Sequence, residues 1–208
     1  MILTANVGPA HKGDCDGVQI TVDRTSALRV SPSFYEEAEL GEIFYASTPA
    51  AGVDHAASLT TTAPFSLYNP VGSPVNCVLL GVTWGYVSGT LGGGFLALGQ
   101  YIVGTTNAVP TGTAALSGCT LLGQSNPRGV PLYTVTLTAG ATLICGLKDI
   151  APKLATTAAE TVPSPIWLPP IFIAAPGTAL VLSGVTGAGG TTPLVQLGTI
   201  WREIKRRS

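Results

Sequence analysis

The run Ala179-Leu-Val-Leu-Ser-Gly-Val185, a Gly-rich link over residues 186–192, and the run Leu194-Val-Gln-Leu-Gly-Thr-Ile-Trp-Arg-Glu-Ile204 decide the fold class. In the second run Val195, Leu197, Thr199 and Trp201 alternate with Leu194, Gln196, Gly198 and Ile200. A repeat of two is that of a β-strand, whose successive side chains leave on opposite faces. Both sets are partly apolar, so this strand is expected to be covered on both sides. Strands of this kind occur in two-sided cores and where a subunit meets its neighbour.

Working outward from this pair, strand signals recur through most of the chain. They cover residues 64–68, 76–87, 95–103, 118–122, 131–137, 142–147 and 165–174, with Pro131-Leu-Tyr-Thr-Val-Thr-Leu137 the cleanest alternation. With the C-terminal pair that makes about nine strands broken by Gly, Pro and Asn, a pattern of antiparallel sandwiches and barrels rather than of βαβ units. We read an all-β fold, an antiparallel β-sandwich that is jelly-roll-like. Gly92-Gly-Gly94 and Gly187-Ala-Gly-Gly190 read as hairpin loops, because neither opens a helix that could hold a phosphate.

Three regions follow. Residues 1–33 read as an extended N-terminal arm, with turn clusters and one alternating run, Val18-Gln-Ile-Thr-Val22. Residues 34–62 read as an acidic short helix or loop and a linker: Ser33 and Glu36 have capping-box spacing and Gly41 would stop a helix after about two turns, while a solvated acidic loop fits equally. Residues 63–208 read as the sandwich body with a short basic C-terminal tail.

The chain has 208 residues, enough for one sizeable core, and only 10% are charged against a usual share of about 25%. Gly, Thr and Ala dominate while Lys, Glu and Gln are scarce, which removes the material of solvent-facing helices and excludes a helical bundle. No Asp, Glu, Lys or Arg occurs from His55 to Pro127. The acids concentrate before residue 55, and Arg202, Lys205, Arg206 and Arg207 make the tail basic. That tail reads as a solvated terminus, with an acidic protein surface ahead of nucleic acid as its partner if it has one. The uncharged run Val78 to Val103 is long enough to cross a bilayer, but its seven glycines argue against a lipid-facing helix. The N-terminus has no basic region followed by an apolar stretch, so a chain made in the cytosol without a secretory signal is expected.

Chemistry is sparse. Cys15, Cys77, Cys119 and Cys145 match no zinc spacing and are expected reduced and mostly buried. His11 and His55 sit in turn-like segments expected to be exposed; His55 with Cys77 and Cys119 is the one conceivable metal set, and nothing in the spacing supports it. Asp14-Cys-Asp-Gly17 opens like a calcium loop, but Thr25 stands where the closing Glu belongs. Glu36, Glu37, Glu39 and Glu42 crowd one short segment instead of flanking a cleft, so they read as a solvated or partner-facing patch. No G-x-S-x-G elbow is present. No catalytic, cofactor-binding or metal residue is therefore nominated, no cofactor is expected, and the chain is expected not to be an enzyme.

Ala63-Pro-Phe-Ser-Leu-Tyr-Asn-Pro70, Val78-Leu-Leu-Gly-Val-Thr-Trp-Gly-Tyr-Val-Ser-Gly-Thr-Leu-Gly-Gly93, Ile173-Ala-Ala-Pro-Gly-Thr-Ala-Leu-Val-Leu182 and Pro193-Leu-Val-Gln-Leu-Gly-Thr-Ile-Trp-Arg-Glu203 carry a resemblance. In composition and texture they resemble the small Gly/Thr/Ala-rich virion proteins of tailed bacteriophages, in particular capsid decoration (cement) proteins with a β-sandwich body. The likeness covers roughly residues 34–204. It implies a non-enzymatic protein on the outer capsid surface of the virion whose partners are itself, as a homotrimer, and the major capsid protein. It implies no small-molecule substrate, nucleic acid or membrane. A tail or fibre-tip protein with a trimeric jelly-roll receptor-binding head is the second expectation. From another class, a carbohydrate-binding module would place Trp84, Tyr86, Trp167 and Trp201 on an exposed platform.

Overall fold

Alternating runs rich in Val, Leu, Thr and aromatic residues fit a pleated, half-buried surface, and here they build two antiparallel sheets packed into a β-sandwich. A computed structural model describes residues 38, 40–121, 127–154, 156, 164–186 and 191–206. The chain divides after Ser33, and the unit Phe34–Ser208 holds every described residue. The arm expected over residues 1–33 lies outside them.

Among the described residues thirteen strands run in the order β1 (Ile43–Ser47), β2 (Val53–Asp54), β3 (Thr62–Asn69), β4 (Val75–Thr90), β5 (Gly94–Ile102), β6 (Thr111–Ala114), β7 (Leu116–Cys119), β8 (Val130–Thr136), β9 (Thr142–Ile150), β10 (Ser164–Trp167), β11 (Ile173–Ala174), β12 (Thr178–Thr186) and β13 (Thr191–Lys205). The first sheet has the order β10-β4-β13-β1-β7, with β11 also on β4 and β2 on β13; the second has the order β6-β8-β3-β12-β5-β9. Their facing sides bury one core. Leu79, Val82, Trp84 and Tyr86 of β4 and Val195, Leu197 and Trp201 of β13 meet Phe65, Leu67, Leu96, Leu98, Leu180 and Leu182 from the second sheet. Phe44 of β1 stacks on Trp201 with ring centroids 5.9 Å apart. Each aliphatic side chain buried this way contributes roughly 1.5–3 kcal/mol.

The alternation read in the last strand holds: Val195, Leu197, Thr199 and Trp201 are all buried, while Leu194, Gln196 and Ile200 on the other face are half-buried. Three readings are corrected. The C-terminal pair is not a hairpin, since β12 lies in the second sheet and β13 in the first; the same holds for β4 and β5, so both Gly-rich links join strands of different sheets. The sandwich begins before residue 63, because Ile43–Ser47 pairs with both β13 and β7 and Val53–Asp54 pairs with β13. The end of the expected acidic helix or loop is therefore strand; residues 34–37 and 39 lie outside the described set. Finally, 165–174 is two short strands. Pro169 and Pro170 have no N–H for the ladder, and the chain bows away from β4 between Leu168, whose N–H donates to Leu80 O at 2.8 Å, and Phe172, whose carbonyl accepts from Leu79 N at 2.9 Å.

If β13 anchors the core through Trp201, replacing that ring with a methyl leaves a void that both sheets line. Trp201→Ala should cost about 3–5 kcal/mol in urea unfolding; a loss under about 1 kcal/mol would mean that the two sheets do not close on it.

Candidate interaction surface

The faces of the two sheets that look away from the core differ. On the second sheet Tyr68, Tyr101, Leu132, Val135, Ala179 and Val181 form a small apolar cluster, against which Leu59, Val103 and Ala141 from the connecting segments pack. Tyr101 Oη donates to Ala108 O at 2.8 Å, and Ala108 N donates to Thr138 Oγ1 at 3.2 Å, which holds those segments down. This face is dressed by the chain itself.

The first sheet presents a different surface. Register aligns Ile173, Val78, Arg202 and Ile43 in one row across β11, β4, β13 and β1. A parallel row runs Trp167, Gly81, Ile200, Tyr45 and Gly118 across β10, β4, β13, β1 and β7. Ile43, Val78 and Leu80 are buried in a cluster with Ile200 and Ala38. Around them, Trp167 is 69% exposed, Ile171 68%, Ile173 50% and Tyr45 43%. Trp167 packs so close on Gly81 that a Cβ there would meet the indole at 3.2 Å, so the ring is seated as well as exposed. The one charge in these two rows is Arg202, and Glu42 neutralises it at 3.3 Å. Water gains little from such a face.

A groove of about 780 Å³ opens elsewhere, lined by Val53, Asp54, Ser58, Thr62, Thr136 and Thr192 among others. The three non-glycine residues with left-handed backbone among the described residues, Ala56, Thr134 and Thr192, all line it. Asp54 is its one ionisable lining residue, and its carboxylate already accepts Ala56 N–H at 3.0 Å. General acid–base chemistry asks for titratable groups within reach of the same reacting atoms; here there is one carboxylate among hydroxyls and small apolar groups.

The residues singled out from sequence are dispersed. Trp84, Tyr86 and Trp201 are core residues and only Trp167 of the proposed sugar platform is exposed, so the four rings form no platform. Alternation explains it: the three sit at core-facing positions of β4 and β13. His55 is fully buried, against expectation. The turn after β2 directs the imidazole inward, edge-on to Trp84 and so close to β12 that a Cβ at Gly184 would run into the ring. Its Nδ1–H donates to Ala56 O at 3.1 Å, while Nε2 has no hydrogen-bond partner among the described residues. Burial lowers its pKa from 6.5, outweighing the Ala56 hydrogen bond and the nearby Asp54 charge, which raise it. Cys77 and Cys119 are buried and Cys145 half-buried, all as free thiols; burial, with the Glu203 charge second, pushes the Cys77 thiol up. Among the described residues no three His, Cys, Asp or Glu side chains come together to hold a metal, and His55 does not join Cys77 and Cys119. Likewise, no helix among them is long and apolar enough to cross a membrane; Val78 to Val103 is β4, a turn and β5.

Sequence reasoning missed two features. One is Glu203, buried on the core side of β13, whose carboxylate accepts Arg128 N–H at 2.8 Å, Gly129 N–H at 2.8 Å and Trp201 Nε1–H at 3.2 Å. It ties the segment entering β8 to the first sheet. The signal was a lone acid two residues after Trp201 on the same face of a strand. The other is the Trp167-Leu-Pro-Pro-Ile-Phe-Ile173 strip, whose two prolines already marked a sheet edge. No family model matches the chain, and neither the curated proteins nor the solved structures give a match.

Two outcomes test this picture. Glu203→Ala leaves three donors without their acceptor, so stability should fall by roughly 3 kcal/mol and amide exchange at 127–130 should quicken; unchanged exchange there would contradict the anchor. For His55, the unfolded state binds the proton more readily than the folded state, so stability present above pH 6.5 is lost as pH falls below it. The urea midpoint should drop between neutral and mildly acidic pH, and His55→Phe should flatten that part of the profile. An identical profile in the variant would place the acid sensitivity elsewhere.

Proposed function

We propose that the chain is a non-enzymatic virion structural protein that binds and stabilises the outer surface of a tailed-phage capsid as a decoration protein, self-associated as a homotrimer. The observation that carries the reading is the charge-poor outer face of the first sheet, with exposed Trp167 and Ile173 and its one row charge already paired. A soluble monomer rarely leaves such a face bare, whereas an assembly buries it. On a shell, many identical copies add modest contacts into strong attachment.

The strand order supports a jelly-roll reading of the sandwich. Taking β1, β3, β4, β5, β9, β10 with β11, β12 and β13 as eight successive strands, the first pairs the last, the second pairs the seventh, and the third and fourth sit next to those inner partners in their own sheets. This is the nested double Greek key. In this reading β6, β7 and β8 are an insertion that widens both sheets at the β1 and β3 edges.

Co-sedimentation with capsids stripped of surface proteins tests the function. Saturable binding at hundreds of copies per particle is expected from a lattice of equivalent sites. Absence of binding, or a handful of copies confined to the tail, would favour the fibre-tip reading instead.

A further inference from the structure

We infer that the outer face of the first sheet is where one copy of this chain meets another. The inference rests on the assembling role proposed above and names its surface. Tyr45 and Leu116 lie on this face by register, Ile173 and Trp167 close it at the β10 and β11 edge, and Ile171 stands beside them in the intervening loop. Leu116 is 82% exposed, more than any other large apolar side chain of the chain's described residues.

The size fits a protein partner. One aromatic side chain offers about 150–250 Å², so these exposed groups together offer several hundred Å², on the order of the roughly 800 Å² per partner that a standard interface buries. The chemistry fits a second copy. A charged partner would have to strip water from its ions against a face whose row charge, Arg202, is already answered by Glu42. A second copy brings the same charge-poor, largely apolar surface, so the patch meets its own like without burying an unanswered charge. The face needs no complement that the chain does not carry. Two copies close face to face about a two-fold axis, and three close a ring where one part of this face, such as the β10 and β11 edge, meets a different part of it on the next copy. The other sheet offers less, because Leu59, Val103 and Ala141 pack over its outer apolar cluster and leave Leu143 exposed at the β9 edge.

Sedimentation velocity of the full chain over a wide concentration range tests this. The wild type should self-associate, and Trp167→Lys with Ile173→Lys should weaken the association by about thirtyfold or more, the loss expected when an aromatic hot spot is removed. Ile102→Lys, exposed on the other sheet, should leave it unchanged. Circular dichroism and urea midpoints check folding; should the double variant misfold, Ile171→Lys, in a loop outside the strands, should show the same direction of effect. A wild type that stays monomeric overturns the inference while leaving capsid binding to be measured separately. So does an oligomer that these variants do not weaken. Loss of capsid binding in the Trp167 variant of a monomeric wild type assigns the face to the shell and also overturns it.

Discussion

The ladder between β4 and β13 is the constraint on which the rest of the sandwich depends. These are the two longest strands, and they stay paired from Leu194 opposite Ser88 to Lys205 opposite Val75. Their inward side chains, Trp84, Tyr86, Leu197 and Trp201, form the wall on which the second sheet packs. Every other strand of the first sheet hangs on one of the two: β10 and β11 on β4, β1 and β2 on β13, and β7 one step further out on β1. Register shifts between Leu194 and Val195 and between Ile200 and Trp201 interrupt the ladder. At the second of these Gly81 stands opposite Ile200 and Leu79 opposite Trp201, so the extra residue, Leu80, joins Val78 on the outer face while Leu79 returns to the core.

Both faces of this ladder are apolar, and that is what separates the molecule from a plain sandwich. The inner face has the second sheet. The outer face holds Val78, Leu80, Ile43 and Ile200 in a shallow cluster ringed by exposed Trp167, Ile173 and Tyr45. Low charge is shared by both sheets: β3, β5, β6, β8 and β12 carry no charged residue, and the strands of the first sheet carry only Asp54, Arg202, Glu203 and Lys205. The buried polar groups belong to the interior. Glu203 fastens the entry to β8, and His55 fills the space beside Gly184 and Trp84.

Much of the fold was legible because period-two alternation is a local signal. The runs at 64–68, 76–87, 142–147, 179–185 and 194–204 fall within strands, and those at 95–103 and 131–137 overrun theirs by one residue. Alternation says nothing about which sheet a strand joins, so β12 and β13 read as a hairpin although they lie in opposite sheets. Ile43–Ser47 was hidden by the acids before it, and Thr111–Ala114 by having only small residues and no apolar face at all. His55 looked exposed because a turn sequence does not reveal where its side chain points; only the glycine at 184, far along the chain, makes room for the ring. The candidate surface was visible in part, as a last strand apolar on both faces. Its strongest member, Trp167, sat in a run read as one continuous strand.

In the proposed assembly a second copy covers the outer face of the first sheet. The three tryptophans supply the probe, since Trp84 and Trp201 are buried and Trp167 is 69% exposed. Acrylamide quenching of tryptophan emission, followed as the protein passes from dilute to assembled, reads Trp167 alone. The quenchable fraction present at low concentration should disappear on assembly and be absent throughout in Trp167→Phe. A Trp167 that remains equally quenchable in the assembled protein would contradict it.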